Sequence, residues 1–323
     1  MIGKEIFEKL KAKYKNGDKF RILFCPYKED MFDCMDTIYD AASYDDETET
    51  TIMPIPYFKL ENGLPTSIQM EFGVEFSDYG DKYQKNFPTI LNRGWDCIVI
   101  HNQYDQYNNV TRLLLTSLIL KQFCKYLVFI GYAVVGDRDI EREEIHFPMF
   151  KNADLIICEN DKHAKQIAGH LNYYGWNTET VGWGNPKYDK LDMKYGLPKE
   201  WEEKTNGRKK ILLQTSLVPF MQNPGEKLKQ IEHIIDYYFE DDSVCLWWRP
   251  HPLLETTIKA HCQMQYDKFI ELENRIKNSR HILDMTNNCH RAIVETDEMI
   301  SDKSSMVVMY KHTGKPITML EEL

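Results

Sequence analysis

The sequence predicts an α/β chain of two halves, each built on a mostly parallel sheet, and three observations predict it. Short, continuously apolar runs alternate with longer stretches of helical period, as in sheets covered on both faces. The alternation pauses and restarts after Trp183-Gly184-Asn185-Pro186. The length, 323 residues, corresponds to about two domains at roughly 100–200 residues each. The expected division is 1–183 and 184–323.

Taken in order, residues 1–15 set Ile2, Ile6, Phe7, Leu10 and Tyr14 on one helical face, with lysines around the rest. Gly17 is a plausible stop. Two readings fit: a packed N-terminal helix with a solvated lysine face, or a basic helix lying on an anionic membrane surface. Strands are expected at Phe20–Cys25, Thr51–Ile55, Cys97–His101, Leu127–Ile130, Leu155–Cys158 and Glu179–Val181. Helices are expected between them at Asp30–Ser43, Val110–Phe123 and Lys162–Leu171. The stretch Tyr57–Asn86 breaks the pattern and reads as a long excursion. In the second half the strands are Lys210–Gln214, Val244–Trp248, His281–Leu283, Glu298–Ser301 and Pro316–Met319. Their helices are Gly225–Phe239, Leu253–Lys277, Cys289–Thr296 and Ser304–Thr313, with a further short helix within Lys194–Arg208.

Composition excludes several classes. With 40 Lys+Arg against 50 Asp+Glu the net charge is −10, and a pI of about 5.5 argues against a nucleic-acid partner. The 8 cysteines form no C-x-x-C pair, so neither a zinc site nor a disulfide framework is expected. Residues 1–15, MIGKEIFEKLKAKYK, lack the apolar core expected of a signal peptide. The longest apolar stretch, Tyr126–Gly136, is far short of the ~20 residues a membrane span needs. The expectation is a cytoplasmic chain. H-E-x-x-H, G-x-S-x-G, Walker A and G-x-G-x-x-G are all missing from the sequence.

Ligands of open α/β sheets sit beyond the carboxyl ends of the strands, and the polar motifs fall there. Ser301-Asp302-Lys303-Ser304-Ser305 follows a strand and opens a helix. Free N–H groups and hydroxyls at such a start suit a phosphate, although a serine N-cap explains the same letters. In Arg249-Pro250-His251-Pro252, two prolines aim an arginine and a histidine out of a strand end. The pair could grip phosphate or move a proton, or Arg249 could serve a structural salt bridge. Gln214-Thr215-Ser216 comes directly after Lys210–Leu213, as ligand contacts or as a satisfied turn. Gly184-Asn185-Pro186-Lys187-Tyr188-Asp189 reads as punctuation between the halves. His101, with Asp105 nearby, is a candidate base or a hydrogen-bonded, partly buried histidine.

In this order, G-N-P-K-Y-D (184–189), L-L-Q-T-S (212–216), R-P-H-P (249–252) and S-D-K-S-S…T-G-K-P (301–305, 313–316) resemble the CDP-glycerol glycerophosphotransferase family. These are the teichoic-acid primases and polymerases of cell-wall synthesis, with the two-domain GT-B fold. The resemblance spans residues 181–320 best. It implies two Rossmann-like domains with an interdomain cleft, the N-terminal one facing the acceptor and the C-terminal one binding the donor. Arg249 and His251 would touch phosphate, Ser301, Ser304 and Ser305 would cradle the diphosphate, Asp302 would orient the loop, and Thr215 and Ser216 would line the cleft. A CDP-polyol would donate glycerophosphate to a membrane-associated or carbohydrate polymer acceptor, releasing CMP at the inner face of the cell membrane. No metal or other cofactor is implied.

Two departures accompany the resemblance. The family's W-H-G-T histidine, its base, is replaced here by Phe129-Ile130-Gly131-Tyr132-Ala133, leaving His101 or His146 as substitutes. Only Glu321-Glu322-Leu323 follow the last strand, so an end shortened relative to the family is expected. The same motifs admit a nucleotide-sugar glycosyltransferase or epimerase on this fold, or a GT-B-like module that binds without turnover.

Overall fold

The computed structural model describes residues 1–27, 29–61, 64–71, 76, 87–107 and 115–322. The chain forms two compact units, Met1–Lys190 and Leu191–Leu323.

Unit 1 contains β1 (Phe20–Cys25), β2 (Thr48–Ile52), β3 (Tyr57–Glu61), β4 (Leu64–Glu71), β5 (Trp95–Ile100), β6 (Cys124–Ile130), β7 (Leu155–Ile157) and β8 (Glu179–Val181). Six of them make a parallel sheet in the order β2-β1-β5-β6-β7-β8. Successive side chains of a strand point to opposite faces, and here both faces are covered. Leu23, Ile98, Leu127 and Ile156 join one core with Met149, Phe150 and Ile167. Ile22, Phe24, Val99, Val128 and Leu155 join the other with Ile6, Phe7, Leu10 and Ile38. That is why these strands read as unbroken apolar runs. β3 and β4 pair antiparallel, within the stretch expected to be an excursion; residues 62–63, 72–75 and 77–86 lie outside the described set. So do residues 110–114 of the expected helix Val110–Phe123, whose described remainder includes the short helix Ser117–Leu120.

The N-terminal helix Ile2–Tyr14 packs against the helix Asp36–Ser43, and their contact depends on Gly3. A Cβ there would stand 2.0 Å from Thr37 Oγ1 and 2.7 Å from the Thr37 carbonyl carbon. Asp189 seals this corner by accepting from Ile2 N (2.6 Å), Gly3 N (2.8 Å) and Thr37 Oγ1 (2.9 Å). It satisfies N–H groups that a helix start cannot satisfy itself. Lys187 pairs with buried Asp33 at 3.0 Å, and Lys190 pairs with Asp36 at 2.5 Å. The motif 184–189 is thus fastened to unit 1.

Unit 2 contains β9 (Lys209–Thr215), β10 (Val244–Pro250), β11 (Ile282–Leu283), β12 (Glu298–Ser301) and β13 (Ile317–Met319). All pair in parallel, in the order β11-β10-β9-β12-β13. Ile211, Leu213, Leu246, Trp248 and Ile300 form the core of one face with Leu228, Ile231, Phe269 and Leu272. On the other face Trp247 meets Trp201 edge-on at 4.8 Å. The expected helix Leu253–Lys277 is two helices, Leu254–His261 and Gln263–Lys277, broken at Cys262.

Candidate functional site

In unit 2 the chain adds β10 and β11 on one side of β9, then crosses to place β12 and β13 on the other. Neighbouring connections therefore leave the sheet in opposite directions between β9 and β12. Such a switch point opens a crevice beyond the strand ends, where open α/β sheets bind ligands. The residues there are Gln214, Thr215 and Ser216 from β9 and its exit, and Ser301, Asp302 and Ser304 from β12 and its exit.

Gln214 is the hub. It is the register partner of Ser301, and its Oε1 accepts from Ser301 Oγ at 2.5 Å and from Ser304 Oγ at 3.0 Å. Its Nε2 donates to Ser216 Oγ at 3.2 Å. Asp302, 2 % exposed, accepts from Ser216 N at 3.1 Å and pairs with Lys227 at 3.0 Å. Lys227 stands on the helix Pro224–Phe239. Ser304 caps the helix Ser305–His312, accepting from Val307 N at 3.4 Å. Ser301, Ser216 and Ser304 are thus engaged with protein partners. Thr215, also buried, accepts from Trp248 Nε1 at 3.3 Å. Lys303 and Ser305 are the exposed residues of this loop and helix start. The first N–H groups of the helix have no intrahelical partner, although Val307 N is capped by Ser304, and they sit at the positive end of the helix dipole.

On the other side of β9, the Thr215 carbonyl accepts from His251 N at 2.9 Å. His251 is half-buried, and its Nδ1 accepts from Leu253 N at 3.1 Å. The neutral ring therefore carries its proton on Nε2. Burial, and then the neighbouring Arg249 charge, lower its pKa from the ordinary value, so it stays neutral at pH 7. Arg249 is held otherwise: it pairs with Asp284 at 2.8 Å, with side-chain exposures of 5 % and 0 %, and donates to Thr286 O at 2.8 Å. The geometry is that of a structural salt bridge. Asp284 also accepts from Trp247 Nε1 at 3.0 Å and Thr286 N at 2.9 Å.

His101 belongs to unit 1, directly after β5. It is 1 % exposed, and its Nε2 accepts from Tyr27 N at 3.0 Å. Burial, aided by the Lys187 charge, lowers its pKa to about 3. As placed, it holds the turn after β1. His146 is exposed and lies over Phe147, ring centroids 4.1 Å apart. Sequence reasoning missed two partners, Asp284 and Lys227, and singled out Gln214 beside Thr215 and Ser216 without its hub role. Only Asp284, an acid directly after a short strand, carried a signal of its own.

No family model matches the chain, and no curated protein matches it. Solved structures do. The UDP-GlcNAc 2-epimerase of Neisseria meningitidis, bound to UDP-GlcNAc, is similar with a TM-score of 0.56 at 12 % identity, covering 93 % of this chain and 82 % of that one. That of Methanocaldococcus jannaschii, in complex with UDP-GlcNAc and UDP, gives 0.55 at 13 % identity over 93 % and 83 %. The likeness shows the fold: two Rossmann-like α/β units of the GT-B kind. The wall teichoic acid polymerase TagF gives 0.47 at 10 % identity over 98 % and 73 %, too slight to argue from. The narrower resemblance to CDP-glycerol transferases has its four motifs alone behind it.

Proposed function

We propose that the chain is an enzyme acting on a nucleoside-diphosphate sugar, as an epimerase or a glycosyltransferase, and that unit 2 holds the diphosphate. The observation that carries this reading is the β9/β12 switch point, where a Ser304-capped helix start faces solvent through Ser305. The solved proteins of similar fold include epimerases crystallised with UDP or UDP-GlcNAc.

In this reading the helix start meets the diphosphate with N–H groups and dipole. Asp302 and Lys227 hold the loop, and Gln214 fixes Ser301 and Ser304. His251 offers Nε2–H to a phosphate oxygen or to the charge that develops on a leaving group. Arg249, through Asp284, acts on position rather than by contact. No step is assigned to His101.

A second reading, transfer of glycerophosphate from a CDP-polyol to a polymer acceptor with CMP release, is favoured by the order of the four motifs. Calorimetry of the full chain with UDP-GlcNAc and CDP-glycerol separates them. Tighter UDP-GlcNAc binding supports the first reading, and tighter CDP-glycerol binding the second. Binding of either without turnover across plausible acceptors supports a module that binds only. Among the described residues no helix is long and apolar enough to cross a membrane.

A further inference from the structure

Unit 1 holds a cavity of about 300 Å³ beyond the carboxyl ends of β6 and β7, at the lower end of the ~300–1,000 Å³ usual for small-molecule pockets. Its walls are chiefly apolar and aromatic, with Phe129, Phe150, Tyr104 and Tyr132 among them. One wall carries the carboxylate of Glu159. Neutral donors hold that carboxylate: Val135 N at 2.8 Å, Gly136 N at 3.2 Å and Tyr188 OH at 2.5 Å. Among the described residues no cation pairs with it. Arg138 and Glu144 also line the cavity and pair with each other through two contacts of 2.7 Å. Arg138 acts on Glu159 through space without pairing with it, so the three charges of the wall sum to one negative charge. His163, 1 % exposed and also in the wall, donates Nε2–H to Arg138 O at 3.1 Å. Its Nδ1 is buried without a partner among the described residues.

We infer that this cavity is a site for a small organic ammonium compound with an apolar body. A carboxylate partly out of water and lacking a counter-ion favours a cation. Ring faces attract the same charge. A carboxylate or phosphate ligand would meet repulsion from Glu159. The inference does not rest on the nucleotide reading, since every residue it uses belongs to unit 1.

The test is calorimetry of the full chain with three probes of one shape: cyclohexylammonium, cyclohexanol and cyclohexanecarboxylate. The ammonium is expected to bind about tenfold more tightly than the alcohol, and the carboxylate not at all. Glu159→Gln should bring the ammonium down to the alcohol's affinity. Because that change touches the loop held at Val135 and Gly136, a second variant is needed. Tyr132→Leu keeps the carboxylate, and is expected to weaken the ammonium about threefold more than it weakens the alcohol. Equal affinity for ammonium and alcohol in the native chain would overturn the inference. So would an ammonium preference that survives in both variants, or no saturable ammonium binding.

Discussion

At the scale of single residues, the buried polar groups separate into those that hold and those that meet solvent. Arg249 and Asp284 hold: both are buried and each completes the other's hydrogen bonding. Asp284→Ala leaves a guanidinium charge buried and unpaired, and is expected to cost about 3–5 kcal/mol in urea unfolding. His251 stands in the solvent-facing group. His251→Ala should weaken nucleotide binding about tenfold while barely moving the urea midpoint, since only the Leu253 N–H loses a partner. His281 gives a pH signature. It is fully buried, accepts from Leu246 N at 3.0 Å, and its pKa is lowered to about 4 by burial and the Arg280 charge. A folded pKa below the unfolded one means the unfolded chain binds the extra proton. Stability contributed by the neutral ring is therefore present above pH ~6.5 and lost as pH falls toward ~4, by about 3 kcal/mol. Urea titrations at pH 7 and 4.5 should show that loss in the native chain. His281→Asn, which keeps an acceptor and cannot protonate there, should show less of it.

At the scale of elements, the strands were the legible part. Phe20–Cys25 and Glu298–Ser301 occupy the spans that their largely apolar runs predict. A strand buried on both faces writes its own boundaries, because polar residues resume where cover ends. Helix interruptions were not legible. Leu254, Ile258, Phe269, Leu272 and Ile276 keep a helical spacing on either side of Cys262 and all are buried, so periodicity does not reveal the break. The helix expected from Asp30 likewise begins as a 3₁₀ turn and becomes α-helical only at Asp36. Long-range partners were hidden for a different reason. Asp189 capping Ile2–Tyr14, or Lys227 meeting Asp302, joins residues whose local sequence context carries no mark of the pairing. The tight corner at Gly3 makes an element-scale prediction. Gly3→Ala must push the two helices apart, and is expected to destabilise the chain by about 1–3 kcal/mol in urea unfolding. A cost below a few tenths would show that the corner yields freely.

At the scale of the whole molecule, strand order does what the motifs alone could not. The sequence placed Thr215, Ser216, His251, Ser301 and Ser304 at strand ends, which any α/β reading would do. Only the order β11-β10-β9-β12-β13 sets β9 in the middle, with Gln214 bonding toward β12 and Thr215 toward His251. The central claim is that the start of the helix Ser305–His312 receives a diphosphate. Ser305→Glu tests it most directly, because the two effects of the change have opposite signs. A carboxylate in the first turn stabilises a helix by about 0.3–1 kcal/mol and repels a bound diphosphate. The measurement is UDP affinity by calorimetry beside the urea midpoint, for the native chain and for Ser305→Glu. The account predicts at least a tenfold loss of UDP affinity with an unchanged or higher midpoint. Undiminished UDP binding in a folded Ser305→Glu chain would contradict it.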